Sequence, residues 1–146
     1  RLFAEHAGPE LRTEFPERIE RLEFAPVKGF MKGFIDMVFR FDDRFYIVDW
    51  KSNFLGSRVE DYGQDALTAV MENDFYVLQY HIYSLALHQY LNARLPGYDY
   101  EIHFGGVCYI FLRGADPERG PVYGIFRDRP SHELIEALRD NLINHP

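Results

Sequence analysis

The sequence predicts an α/β domain, a mixed β-sheet flanked by helices. Three observations carry that prediction. Residues 30–51 read as a β-hairpin, residues from Asp74 to about Arg94 recur at helical spacing, and Phe104–Leu112 is a continuous apolar run. The order of hairpin, helix, strand, strand and final helix makes the sheet mixed rather than purely antiparallel.

The elements follow in order. Residues 1–20 are charged and carry Pro9 and Pro16, which predicts a mobile or partly helical lead-in with a poor core; residues 21–146 form the folded domain. In the hairpin, both arms are rich in β-branched and aromatic residues, and Asp42-Asp43 between them is turn chemistry. Residues Ser52 to Gly63 form a loop. Asp65–Met71 reads as a short helix, and Asp74 caps a longer one on which Tyr76, Tyr80, Tyr83, Leu87, Tyr90 and Leu91 form a core-facing stripe. Pro96-Gly97 ends it. Phe104–Leu112 is a central strand covered on both faces, Val122–Phe126 a last strand, and Ser131 the N-cap of a final helix with Glu133 in its first turn.

Composition narrows the class. The 146 residues suit one domain with a real core, and 47% hydrophobic with 16% aromatic content argues against disorder. No apolar run approaches the length of a membrane span, and no signal-peptide pattern opens at Arg1. A single cysteine, Cys108, excludes an internal disulfide and reads as buried core among Val107, Tyr109 and Ile110.

The hairpin holds an electrostatic anomaly. A two-residue turn at Asp42-Asp43 sets Asp36 opposite Asp49 on one face, and Lys51 joins that face by the period of two. Aspartate is disfavoured in strands, and facing like charges repel. Either the pair is a tolerated solvent-facing one, or positive charge belongs between the carboxylates; a hard cation such as Mg²⁺ suits them.

These residues also carry a resemblance. Lys32-Gly33-Phe34-Ile35-Asp36 and Asp49-Trp50-Lys51-Ser52-Asn53 resemble the PD-(D/E)xK nuclease core, an Asp on one strand followed by a (D/E)-x-K triplet on the next. With Leu78-Gln79-Tyr80, Tyr83, Leu85-Ala86-Leu87-His88, His103-Phe104-Gly105-Gly106-Val107 and Phe111-Leu112-Arg113-Gly114, the ordered set resembles the RecB C-terminal nuclease-domain family over about 22–138.

The resemblance implies a restriction-endonuclease-like fold, Mg²⁺ as cofactor and hydrolysis of DNA. It implies an exodeoxyribonuclease V type enzyme of repair and recombination, cytoplasmic, with helicase domains on the same chain. RecC- and RecD-like subunits, and a RecA-like recombinase, would be its partners. By position, Asp36 and Asp49 match metal-binding carboxylates, the Trp50 backbone carbonyl a further ligand, and Lys51 the lysine that assists water or phosphate. Gln79 and Tyr83 match a Gln-x₃-Tyr motif, and their spacing puts them one helical turn apart. Ser52 and Asn53 either orient the loop or hydrogen-bond DNA. The family's upstream histidine and acidic residue have no match in His6, Glu20 or Glu23, so the resemblance places them before Arg1 and makes this a partial domain. Iron–sulfur branches of the superfamily need four cysteines and are excluded.

Net charge is −7, where proteins that grip nucleic acid alone show a basic footprint. Either other modules hold the DNA, or the domain is a non-catalytic docking module for partner subunits or a recombinase; a stand-alone phage-type exonuclease is the third reading. Arg113 touches phosphate or holds a loop. His81 and His88, seven apart on the long helix, lack a second ligand cluster in the sequence and read as structural, while His103 before Phe104-Gly105-Gly106 is left open.

Overall fold

The computed structural model describes residues 32–142. The lead-in, His6, Glu20 and Glu23 lie outside them. A four-stranded mixed sheet has the order β1-β2-β3-β4, with β1 Met37–Phe41, β2 Arg44–Lys51, β3 Phe104–Phe111 and β4 Ile125–Asp128. The hairpin partners β1 and β2 are antiparallel, β2 and β3 parallel, β3 and β4 antiparallel. The α/β class read from the sequence is the observed one.

The hairpin register follows its turn. Asp42 and Asp43 adopt φ of 47° and 61°, the paired left-handed geometry that lets a two-residue loop match strand twist. Aspartate tolerates that region better than most side chains. Met37 then pairs with Val48, and Phe41 with Arg44.

Between the parallel strands the chain runs through a 3₁₀ turn at Val59–Tyr62, α1 Gln64–Asn73, α2 Tyr76–Arg94 and the short α3 Tyr100–His103. The final helix is α4 His132–Leu142. The loop expected at 52–63 thus ends in a helical turn, pinned where the Leu55 N–H donates to the Tyr62 hydroxyl at 3.2 Å. Asp74 is not the cap of the long helix. It closes α1, its carboxylate accepts from Asn53 Nδ2 at 2.9 Å, and Phe75 takes the N-cap position at φ 57°. Periodicity could not locate this break, because the half-buried Phe75 is held there by the core it packs against. Pro96 follows the end of α2, and Ser131 Oγ accepts from the Leu134 N–H at 3.2 Å to cap α4.

The core is one cluster between a single sheet face and the helices. Ile47, Phe104, Tyr109 and Phe111 come from the strands; Leu67, Met71, Val77, Tyr80, Leu91, Ile135 and Leu138 from the helices. Tyr90, assigned to the core stripe, is 61% exposed, since it falls on the outer side of α2. β3 is central, as expected, but its second face is not covered by a helix among the described residues. Cys108 and Ile110 are half-buried there, on a groove they share with Phe39 and Tyr46. The two parallel strands are joined by one crossover, and its helices lie against the other face. The last strand starts at Ile125 rather than Val122, after Gly124 at φ 70°. Among the described residues, no helix is long and apolar enough to cross a membrane.

Candidate active site

Strand alternation puts Phe45, Ile47, Asp49 and Lys51 on the face that α2 covers. The first two feed the core, and the last two extend that face into a polar cluster. Asp36 stands one residue before β1, next in register opposite Asp49. Its Oδ2 accepts a 3.1 Å hydrogen bond from the Trp50 N–H, which ties the carboxylate to the far arm of the hairpin. Trp50 itself lies in the peptide segment between Asp49 and Lys51, with its indole 40% exposed on the opposite face.

Asp49 is 4% exposed. Burial pushes its carboxyl above the usual aspartate value; Lys51 opposes that rise, and the Asp36 charge adds to it. Lys51 Nζ lies 2.7 Å from Asp49 Oδ2. The approach is poorly directed, however, and Oδ2 remains a buried acceptor without a hydrogen bond. The Lys51 ammonium supplies positive charge beside that atom and offsets part of the cost of burying it.

Lys51 is steadied from α2 and β3. Its ammonium donates to Gln79 Oε1 at 3.1 Å and sits 3.9 Å from the Tyr76 ring centroid and 5.1 Å from that of Tyr109. The Gln79 amide is oriented by a relay. Its Oε1 also accepts from the Tyr109 hydroxyl at 3.0 Å, so its Nε2 is turned to donate to the Tyr83 hydroxyl at 3.2 Å. That leaves the Tyr83 proton free to donate outward. Gly33 makes room for Tyr83, since a Cβ at Gly33 would fall 2.9 Å from Tyr83 Cε1.

Asp36, Asp49, Lys51, Gln79 and Tyr83 therefore come together in one linked cluster. Asn53 turns its side chain elsewhere, and the Ser52 backbone is engaged in the loop. The Ser52 carbonyl accepts from Arg113 Nε at 3.1 Å, and Arg113 also lies over the Phe54 ring at 5.8 Å. Asn53 bonds Asp74, and its Oδ1 accepts from the Tyr76 hydroxyl at 3.3 Å. Both residues hold the loop after β2. Two residues were not singled out from the sequence, Tyr76 and Tyr109. Tyr76 had a readable cue, three and seven residues before Gln79 and Tyr83 on the same helical face. Tyr109 had none, because it reaches Asp49 only through the parallel register of β2 and β3.

The donor set fits a hard divalent cation. Two carboxylates outnumber one ammonium, which leaves negative charge for a cation to offset.

Comparison with known proteins identifies the family. The model of the PD-(D/E)XK nuclease superfamily matches residues 1–143. The RecBCD enzyme subunit RecB of Escherichia coli is 53% identical over 121 residues, covering 83% of this chain and 10% of that protein. The Haemophilus influenzae RecB is 52% identical over 119 residues, covering 82% and 10%. That of Mycolicibacterium smegmatis is 38% identical over 123 residues, covering 77% and 11%. The chain spans about a tenth of the length of these relatives, the part that holds their nuclease domain.

Proposed function

The chain belongs to the PD-(D/E)XK nuclease superfamily, and from that premise we propose that it is the Mg²⁺-dependent nuclease domain of a RecB-like helicase–nuclease, hydrolysing phosphodiester bonds of DNA during double-strand-break repair. One observation carries the reading. Asp36 and Asp49 converge with Lys51 on one sheet face, and Asp49 is buried with its Oδ2 2.7 Å from Lys51 Nζ. A sheet gains nothing from that arrangement, whereas phosphodiester hydrolysis needs it.

Asp36 and Asp49, with the Trp50 carbonyl, would hold the cation, and its chemistry there is to lower the pKa of a bound water and offset charge on the phosphate. Lys51 stands between Asp49 and Gln79, within reach of the attacking water or a charged phosphate oxygen. Tyr83, held by Gln79, offers its hydroxyl proton to the DNA backbone. A non-catalytic docking module would have no use for a buried carboxylate kept beside a lysine.

The acidic balance, net −7, fits a domain that receives DNA from other modules. Helicase domains on the same polypeptide and RecC- and RecD-like subunits would feed it a strand in the cytoplasm, and residues 21–146 would be its extent here. The test is Asp49→Ala in the full-length protein assembled with its partners. Mg²⁺-dependent DNA degradation is expected to vanish while ATP-driven unwinding persists; unchanged degradation would falsify the assignment.

A further inference from the structure

A second set of ligating groups lies outside this pocket, between α2 and α4. His88 Nε2 is 3.0 Å from Glu136 Oε1, and His132 Nε2 is 3.6 Å from the same oxygen. The three ligand atoms lie within 4.8 Å of one another, and this is the one such group among the described residues. We propose that His88, His132 and Glu136 form a separate cation site for Zn²⁺ or a similar borderline divalent ion, clamping α4 onto α2.

The distances suit that ion. Ligands about 2.1 Å from Zn²⁺ in a tetrahedron are about 3.4 Å apart, between the two separations observed. Two imidazoles and one carboxylate form a set that favours Zn²⁺ over Mg²⁺, which prefers oxygen alone. His132 and Glu136 are four apart on one helix and so share a face.

Each ligand is also held in place from behind. His88 Nδ1 contacts the Tyr98 hydroxyl at 3.2 Å, which leaves Nε2 facing the cluster. Glu136 Oε2 is held by Arg139 Nη1 at 2.5 Å, so Oε1 alone is left for the histidines. The His132 ring stacks on Tyr100 with centroids 4.9 Å apart at 11°. Outer partners of this kind orient ligands in metal sites. Side-chain exposure of 43% at His132 and 30% at Glu136 leaves an entry path from solvent. The opposing influence is Arg139, whose positive charge lies next to the site. The i,i+4 spacing on α4 brings the His132 nitrogen to the oxygen that His88 contacts, so two imidazoles and one carboxylate meet there.

None of these residues belongs to the nuclease pocket, so the two sites separate experimentally. The metal-stripped full-length protein is titrated with Zn²⁺ by calorimetry and with Co²⁺ by visible absorption, in an Asp49→Asn background. One equivalent is expected, with the intense visible bands of tetrahedral Co²⁺. His132→Ala, at an exposed position, and Glu136→Gln should each remove that equivalent or weaken it at least tenfold. A Zn²⁺-induced rise in melting temperature should disappear in the same variants. No such equivalent in the Asp49→Asn protein, or an equivalent that both variants leave unweakened, overturns the proposal.

Discussion

Lys51 Nζ donates to Gln79 Oε1 at 3.1 Å, and this contact ties the sheet lysine beside Asp49 to the helix above it. Gln79 takes a second hydrogen bond from Tyr109 and gives one to Tyr83, so one amide orders three side chains. Replacing Gln79 with Leu is expected to lower DNA cleavage roughly 10–100-fold, as loss of an orienting partner does elsewhere. The buried Tyr109 hydroxyl would lose its acceptor, at a cost of about 1–3 kcal/mol in stability. Steady-state cleavage and urea midpoints measure the two effects; wild-type cleavage with a lowered midpoint would reduce Gln79 to a packing residue.

Gly33 and Tyr83 make a second, steric prediction. Because a methyl at Gly33 would press on the Tyr83 ring, Gly33→Ala should displace the hydroxyl and act through it. Gly33→Ala and Tyr83→Phe should each slow cleavage by about tenfold, and the double variant should be no slower than the worse single one. Fully multiplicative losses in the cycle would show that the two act separately.

Asp49 predicts how metal couples to stability. If the buried carboxylate takes part in holding Mg²⁺, the ion at a hundred times its dissociation constant should stabilise the protein by about 3 kcal/mol. Asp49→Asn keeps the shape and removes the charge, so that stabilisation should be lost. Melting curves with and without Mg²⁺ decide it, and an equal shift in the variant would place the ion elsewhere.

His81 predicts the acid limb of stability. It is buried in α2 with Nδ1 2.7 Å from the Val77 carbonyl, and burial lowers its pKa from the ordinary 6.5 to about 4. The unfolded chain therefore binds the proton that the folded one refuses. Its contribution is complete above pH 6.5, is lost as pH falls towards 4, and is flat below; the total is roughly 3 kcal/mol. His88, also lowered by burial, acts in the same direction. Urea midpoints between pH 7.5 and 4.5 should fall, and the His81 ring proton followed by NMR should stay in its neutral position down to about pH 5. A His81 resonance titrating near 6.5 would sink the account.

Much of the candidate pocket was legible because it is local. The Asp42-Asp43 turn and the period of two place Asp36 against Asp49 and bring Lys51 to the same side. The four-residue step from Gln79 to Tyr83 assigns them one helical face. Where the reading missed, distance along the chain was the cause. The residue type of Asp74 suits a helix cap, but its partner is Asn53, twenty-one residues away. The second covering layer expected over β3 depends on where the crossover helices pack, and no periodicity within the strand records that.

By itself, then, the sequence determined the hairpin, its register and the shared side of two carboxylates and a lysine, since turn geometry and strand alternation act over a few residues. Only the tertiary structure decided what closes over them. Tyr109 comes beside Asp49 through a parallel pairing, Tyr76 and Gln79 come down from α2, and His88 meets His132 and Glu136 across forty-four residues or more. Those meetings depend on how helices seat against one sheet face, a choice made by burying the whole core at once rather than by any stretch of chain alone.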